Sequence, residues 1–258
     1  MDSPEFSVLQ FNMQYGICWN REGPEAAVAR IDQTVAELQR HHADLICLQE
    51  VEHAADGAKQ VDPPPNYTYL KECLEDYDSW FSYPPPDERE LPFGFGLALF
   101  SKAPLTDRVC LTLPSPKIPF EFNGELKTPS DRIVIGAKVM FAERSVRVFN
   151  AHLLAFFMLG ARREDYPEEA AVLRSALSEA DGPVILAGDF NTPPGDPLVG
   201  ELGTLGFRTL QEEAPTWKRR PYVVDQIFYN DHLTCETGEV IETPVSDHHI
   251  LLGKFSLR

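Results

Sequence analysis

Short apolar runs, each closed by polar or turn-forming residues, recur along the chain. They read as strands over 6–12, 44–51, 96–101, 108–113, 132–141, 145–152, 183–189, 224–229, 233–241 and 249–255. Within 132–141, Ile133, Ile135, Ala137, Val139 and Phe141 alternate with smaller or polar residues, the period of a half-buried strand. Helical spacing is confined to two stretches. Pro24 opens one, with Val28, Ile31, Val35 and Leu38 on a single face. The other covers 165–180, with Leu173, Ala176 and Leu177 directed inward, and a shorter helix is expected near Asp196-Pro197. Ten twisted strands do not fit easily into one sheet, so two packed sheets are expected. With helices on the outer faces the fold class is α/β, a four-layered α-β-β-α sandwich of two mixed sheets. Proline clusters at 63–65 and 84–86, and again between 114 and 119, read as surface loops of one domain spanning 1–258.

Polar residues gather where the strands end. The run 6–12 closes on Asn12, and Leu45-Ile46-Cys47-Leu48 delivers Gln49-Glu50. The strand at 145–152 ends in Asn150-Ala151-His152, and the one at 183–189 leads into Gly188-Asp189-Phe190-Asn191. Asp225 opens the strand at 225–229, and Ser246-Asp247-His248-His249 precedes the last strand. Taken singly, each has an ordinary explanation: Gly, Asp and Asn favour turns, and a lone Glu after a strand is usually solvated. Six such stations at strand ends, in this order, point instead to one site on a rigid scaffold.

Those six stretches together resemble the endonuclease/exonuclease/phosphatase superfamily, the deoxyribonuclease-I-like fold, and the resemblance runs over the whole chain. It implies a four-layered sandwich and a divalent-metal-dependent phosphoester hydrolase. It implies a Mg2+ or Mn2+ ion held mainly by Glu50 with Asn12 beside it, and Asp247 as a further ligand or outer-sphere partner; hard oxygen donors suit such ions. It also implies that Asp189 orients and deprotonates the attacking water and that Asn191 donates to a non-bridging oxygen. His248 and His152 would contact the phosphoryl group, and Asp225 would fix the His248 ring and favour its protonated form. His249 is expected to face away, because neighbours on a strand point to opposite sides.

Two departures narrow the choice within the superfamily. Gln14 stands where abasic-site endonucleases usually carry Asp, and His152 where they carry Tyr. That weighs against abasic-site chemistry and resembles the nuclease, sphingomyelinase, deadenylase and tyrosyl-phosphodiesterase branches. Ile250 stands where the superfamily often has Pro.

Composition restricts the substrate. Of 258 residues, 43% are hydrophobic and 24% charged, which suits a folded domain with a sizeable core. The formal charge is −17, and acids outnumber bases in each quarter of the chain. No basic stripe exists to meet a long polyanion, so duplex nucleic acid is disfavoured. The expected substrate is a small, lipid-linked or single-stranded phosphoester, with a nuclease of the same superfamily as the alternative and a non-catalytic binding module further behind. The stretch from Leu153 to Leu159 reads either as a buried strand end or as an apolar wall for an uncharged leaving group. Lys218-Arg219-Arg220, the longest basic run, reads either as a solvated loop or as a contact for a second anionic group.

No run approaches the ~18 apolar residues of a membrane span, and the first residues lack the basic start and apolar run of a signal peptide, so a cytoplasmic location is expected. The five cysteines, Cys18, Cys47, Cys73, Cys110 and Cys235, form no CxxC pair. They are expected to be reduced, with Cys47, Cys110 and Cys235 buried in strands.

Overall fold

A computed structural model describes residues 5–20, 28–53, 60–87, 94–122 and 124–258. In chain order its first half contains β1 (Glu5–Asn12), α1 (Ile31–His41), β2 (Leu45–Gln49), β3 (Glu52–His53), α2 (Pro65–Cys73), β4 (Asp78–Ser82), β5 (Gly94–Phe95), β6 (Leu97–Ser101) and β7 (Thr106–Leu113). The hairpin β8 (Phe120–Phe122) and β9 (Glu125–Lys127) precedes β10 (Arg132–Phe141) and β11 (Arg144–His152). Then come α3 (Glu168–Ser178), β12 (Val184–Asp189), α4 (Leu198–Thr204), β13 (Arg208–Thr209), β14 (Asp225–Tyr229), β15 (Leu233–Ile241) and β16 (Ile250–Leu257).

Two six-stranded mixed sheets form the body, in the orders β15-β16-β1-β2-β6-β4 and β13-β14-β12-β11-β10-β7. Strand periodicity sorts the side chains into three apolar layers. Val8, Leu45, Cys47, Leu99, Ile135, Val148, Ile185 and Ile227 meet between the sheets. Their chain neighbours Leu9, Ile46 and Leu48 turn outward under Val35, Leu38 and Leu70 of the helices α1 and α2. On the other outer face Phe149, Leu186 and Phe228 pack against Leu173, Leu177 and Leu202 of α3 and α4. The result is the expected sandwich of helix, sheet, sheet and helix.

The expected strands are present with their ends shifted by one or two residues, except that the run at 44–51 narrows to Leu45–Gln49. The helix expected to open at Pro24 begins at Ile31; Pro24 itself lies outside the described residues, and Val28 is not helical and is 63% exposed. The segment between the proline clusters at 63–65 and 84–86 is more than a loop. Pro65 starts α2, where its missing N–H costs nothing, and β4 adds an edge strand to the first sheet. All five cysteines are free. Cys47 is buried, but Cys110 is exposed and Cys235 half-buried, because β7 and β15 are edge strands. Among the described residues no helix is long and apolar enough to cross a membrane.

Candidate active site

The face that carries apolar residues between the sheets changes character at one end. Along β1 the inward sequence is Phe6, Val8, then Gln10 and Asn12; along β2 it is Leu45, Cys47, then Gln49. On β11 it runs Val146, Val148, Asn150, His152, and on β12 Ile185, Ala187, Asp189. β1 and β2 run parallel, as do β11 and β12, so their carboxyl ends coincide. Register then sets the neighbours: Asn12 pairs with Gln49, His152 with Asp189, and Asp189 with Asp225 on the antiparallel β14. The period of 2 that builds the core also aims these polar side chains into one cleft.

At its centre lies Asp189, 1% exposed. Its Oδ2 accepts from Asn12 Nδ2 at 2.9 Å, across from the first sheet, and its Oδ1 accepts from the Asn191 N–H at 2.9 Å. His152 Nε2 lies 3.6 Å and His248 Nε2 3.8 Å from Asp189 Oδ2. His248 Nδ1 donates to Asp225 Oδ2 at 2.8 Å. Asp225 is fully buried; its other oxygen accepts from Gln10 Nε2, and its N–H donates to Thr216 Oγ1.

The charges separate the two imidazoles. Burial by itself pulls the His248 pKa down, but Asp225, Asp189 and Asp247 outweigh it and raise the group to about 10. Burial holds His152 well below the ordinary histidine value, helped by the positive charges of Arg132 and His248. At neutral pH His248 is a cation and His152 a neutral ring. Burial, then Asp247, raises Glu50 to about 7, against the opposing influence of Asn12, His248 and Arg132. Burial and Asp225 also raise Asp189, against His248 and its hydrogen bonds.

Glu50 follows β2 with φ at +48°, and its carbonyl accepts the Tyr15 N–H at 2.7 Å. This left-handed turn is costly for a residue with a Cβ and directs the carboxylate into the cleft, where it is one-fifth exposed. The ligand atoms of Glu50, His152 and Asp189 lie within 4.8 Å of one another. Two carboxylates whose proton affinity is raised, beside a neutral imidazole, fit a divalent cation chemically. A second group, Asp189, Asp225 and His248, meets the same distance limit but already holds a proton between His248 and Asp225.

Asn12 presents its NH2 to both Glu50, at 3.0 Å, and Asp189, while its oxygen accepts from the Gln14 N–H. It spaces the two carboxylates. Asp247 Oδ2 is taken by Arg219 Nε at 2.5 Å and Trp217 Nε1 at 3.3 Å, and its Oδ1 lies 3.9 Å from His248 Nε2. It is buried, and it lies outside the group formed by Glu50, His152 and Asp189. Asn191, with φ at +50°, donates its side-chain N–H to Leu153 O at 2.9 Å, which ties the loop after β11 to the site. His249 is half-buried, with its backbone N–H donating to Thr216 O.

The two runs left open by the sequence each divide. Leu153, Leu154 and Phe156 are core residues, whereas Phe157 and Met158 reach the surface. Lys218 Nζ is bound by the carbonyls of Thr243 and Ser246, Arg219 holds Asp247, and Arg220 is exposed over aromatic rings.

Sequence reasoning missed the support beneath the site. Gln10 Nε2 bridges Asp225 and Gln49 Oε1, and Gln49 Nε2 donates to Asn150 Oδ1 at 2.7 Å. These buried amides cross from sheet to sheet. A buried ion cluster holds the rim loop: Arg163 pairs with Glu169 at 2.7 Å and Asp196 at 3.3 Å and donates to Phe190 O, while Glu169 accepts the Leu154 N–H. The signal for the amides was a polar residue at an inward strand position. No local signal marks Arg163.

Gly188 has a specific reason to be glycine. A Cβ there would stand 2.0 Å from Ala151 O, so only glycine lets β12 approach β11 beside His152.

The sequence pattern of the "Endonuclease/Exonuclease/phosphatase family" matches residues 9–248. Among curated proteins, the "UPF0294 protein" of Vibrio campbellii is 30% identical over 118 residues, 44% of this chain and 40% of that protein. The chain thus matches about two-fifths of that relative's length. Among solved structures, an endonuclease/exonuclease/phosphatase from Beutenbergia cavernae superposes with a TM-score of 0.70 at 21% identity, over 98% of this chain and 72% of that one. The structure of ANGEL2, described as a 2',3'-cyclic phosphatase in complex with adenosine-2',3'-vanadate, gives a TM-score of 0.66 at 18% identity over 100% of this chain and 97% of that one.

Proposed function

The chain belongs to the endonuclease/exonuclease/phosphatase family, whose members hydrolyse phosphoesters, and on that premise we propose a hydrolase that acts by in-line attack of water on phosphorus. One observation carries this reading: Asp189, held from both oxygens, faces the imidazoles of His152 and His248 within 4 Å.

Asp189 is placed to orient a water and to take its proton as the new P–O bond forms. The cationic His248, its Nδ1 anchored on Asp225, presents Nε2–H to the oxygens on which negative charge grows. His152, its Nε2 3.6 Å from the same Asp189 oxygen, lines the cleft beside it. Asn191 fixes both Asp189 and the rim loop. The bond to the leaving oxygen breaks, and that oxygen takes a proton from solvent and departs as an alcohol. Glu50, with Asp189 and His152 beside it, would hold a Mg2+ or Mn2+ ion; when bound, the ion supplies Lewis acidity towards phosphoryl oxygens.

The substrate we favour is small, lipid-linked or single-stranded. The support is the charge of −17: at physiological salt the attraction of a metal site reaches only ~8 Å, and phosphates further along a duplex would lie against an acidic surface with no basic stripe. A screen of phosphomonoesters, aryl and alkyl phosphodiesters, sphingomyelin, and single-stranded and duplex nucleic acid, with Mg2+ and with Mn2+, tests the reading. Turnover of a phosphoester by the wild type and not by Asp189→Asn supports it. Turnover equal in both rejects it.

A further inference from the structure

The surface beside His248 carries three aromatic rings in mutual contact. Phe157 meets Trp217 edge-on at 6.0 Å between ring centres and Tyr222 at 5.6 Å; Trp217 and Tyr222 stand 6.4 Å apart. All three are half-buried, so part of each ring remains open. The Trp217 ring lies 6.3 Å from that of His248. Backbone bridges join Trp217 to both Tyr222 and His248, so the rings are held in register with the reacting side chains. Opposite them, Phe157 is fixed through the buried Phe156 and through Leu153, whose carbonyl binds Asn191.

Above these rings sits a cation. The Arg220 guanidinium lies 5.8 Å from the centres of both Phe157 and Tyr222. Among the described residues it forms no ion pair, in a chain where acids outnumber bases 40 to 23. Arg219, its neighbour, is committed to Asp247, and Lys218 to two carbonyls. Clustered, partly open rings next to a reaction centre signal recognition, whereas scattered apolar residues do not.

We propose that Phe157, Trp217, Tyr222 and Arg220 form a subsite for a planar aromatic group attached to the scissile phosphate, with Arg220 meeting an anionic substituent on or near that ring. This rests on the hydrolase reading and specifies its substrate class. Stacking on aromatic faces and a guanidinium partner favour a flat π-system over an alkyl chain of equal size. An acyl chain would use the rings only as apolar area and offer no anion to Arg220, which here reaches only the Tyr222 hydroxyl, at 3.4 Å, and the two ring faces.

The test separates binding from turnover. Affinities of benzylphosphonate and cyclohexylmethylphosphonate are measured by calorimetry, and kcat/KM by phosphate or alcohol release from the corresponding phosphates, each as monoester and as methyl diester. Benzyl compounds should bind and react about 10–100-fold better. Phe157→Leu and Tyr222→Leu, which keep apolar volume, should reduce that advantage to within about 3-fold of unity. A 4-carboxybenzyl compound should gain a further ~5–10-fold that Arg220→Gln removes. Equal affinity for the two phosphonates in wild type and variants overturns the subsite, whatever the turnover. Ring-dependent binding with no turnover of any phosphate in Mg2+ or Mn2+ keeps the subsite and overturns the hydrolase reading.

Discussion

Asp225 Oδ2 accepts a 2.8 Å hydrogen bond from His248 Nδ1, in a pair that solvent scarcely reaches. The charge on His248 exists because Asp225 is there. With its pKa raised to about 10, the cation should persist through neutral pH and be lost as pH rises through 10. For stability, the contribution is complete below the ordinary histidine value near 6.5 and disappears as pH climbs towards 10. The alkaline fall in kcat/KM is therefore expected near pH 10 in the wild type. In Asp225→Asn it should move down by ~2 pH units or more. An unshifted pH profile in Asp225→Asn shows that Asp225 does not set the charge.

Asp189→Asn preserves shape and removes the base. The expected loss in kcat is ~10²–10⁴-fold, with the melting temperature unchanged or higher, because the buried carboxylate is costly. His248→Ala should lose a similar factor. Single-turnover kinetics at saturating substrate distinguish this from a binding defect.

Glu50 sets function against stability. Its carboxyl is raised from 4.5 to about 7, so the native state binds the proton more tightly than the unfolded chain. Ionised Glu50 therefore costs stability increasingly as pH rises from 4.5 to 7, up to ~3 kcal/mol. Glu50→Gln should melt higher than wild type at pH 8 in chelator and match it near pH 4.5. Millimolar Mg2+ should raise the wild-type melting temperature, leave that of Glu50→Gln unchanged, and fail to support activity in the variant. Full activity of Glu50→Gln in Mg2+ would falsify the ligand assignment.

Gly188→Ala should fail for a backbone reason. The added methyl meets Ala151 O, forcing β12 away from β11. A destabilisation of ~3 kcal/mol or more is expected in urea unfolding, together with loss of activity. Arg163→Met is the companion case: leaving Glu169 and Asp196 buried without their cation should cost ~3–5 kcal/mol.

A net charge of −17 predicts a substrate order. At ~0.15 M salt, kcat/KM for a short single strand or a small phosphoester should exceed that for duplex DNA per cleavable bond. Efficient plasmid nicking at nanomolar enzyme with weak turnover of small diesters would reverse that order and favour a nuclease.

The strands of the two sheets other than β4 and the short β13, and the polar residues at the cleft, were legible in the sequence. Strand period is a local property, and a polar residue at an inward position after Val148 or Ala187 stands out without any knowledge of its partner. The sequence also bore the motifs that place the chain in its family. Other features depended on contacts between residues distant along the chain. α2 and β4 were hidden in a segment whose prolines signal turns, since a helix beginning at Pro65 and an edge strand around Trp80 are selected by packing against the first sheet. Cys110 and Cys235 look buried in their local runs and are not, because only sheet order reveals an edge. The Gln10–Gln49–Asn150 bridge, the Arg163 cluster and the division of labour among Lys218, Arg219 and Arg220 were settled by tertiary structure alone. Hydrogen bonds and ion pairs act over a few ångströms, and which groups fall within that reach is decided by how the two sheets pack.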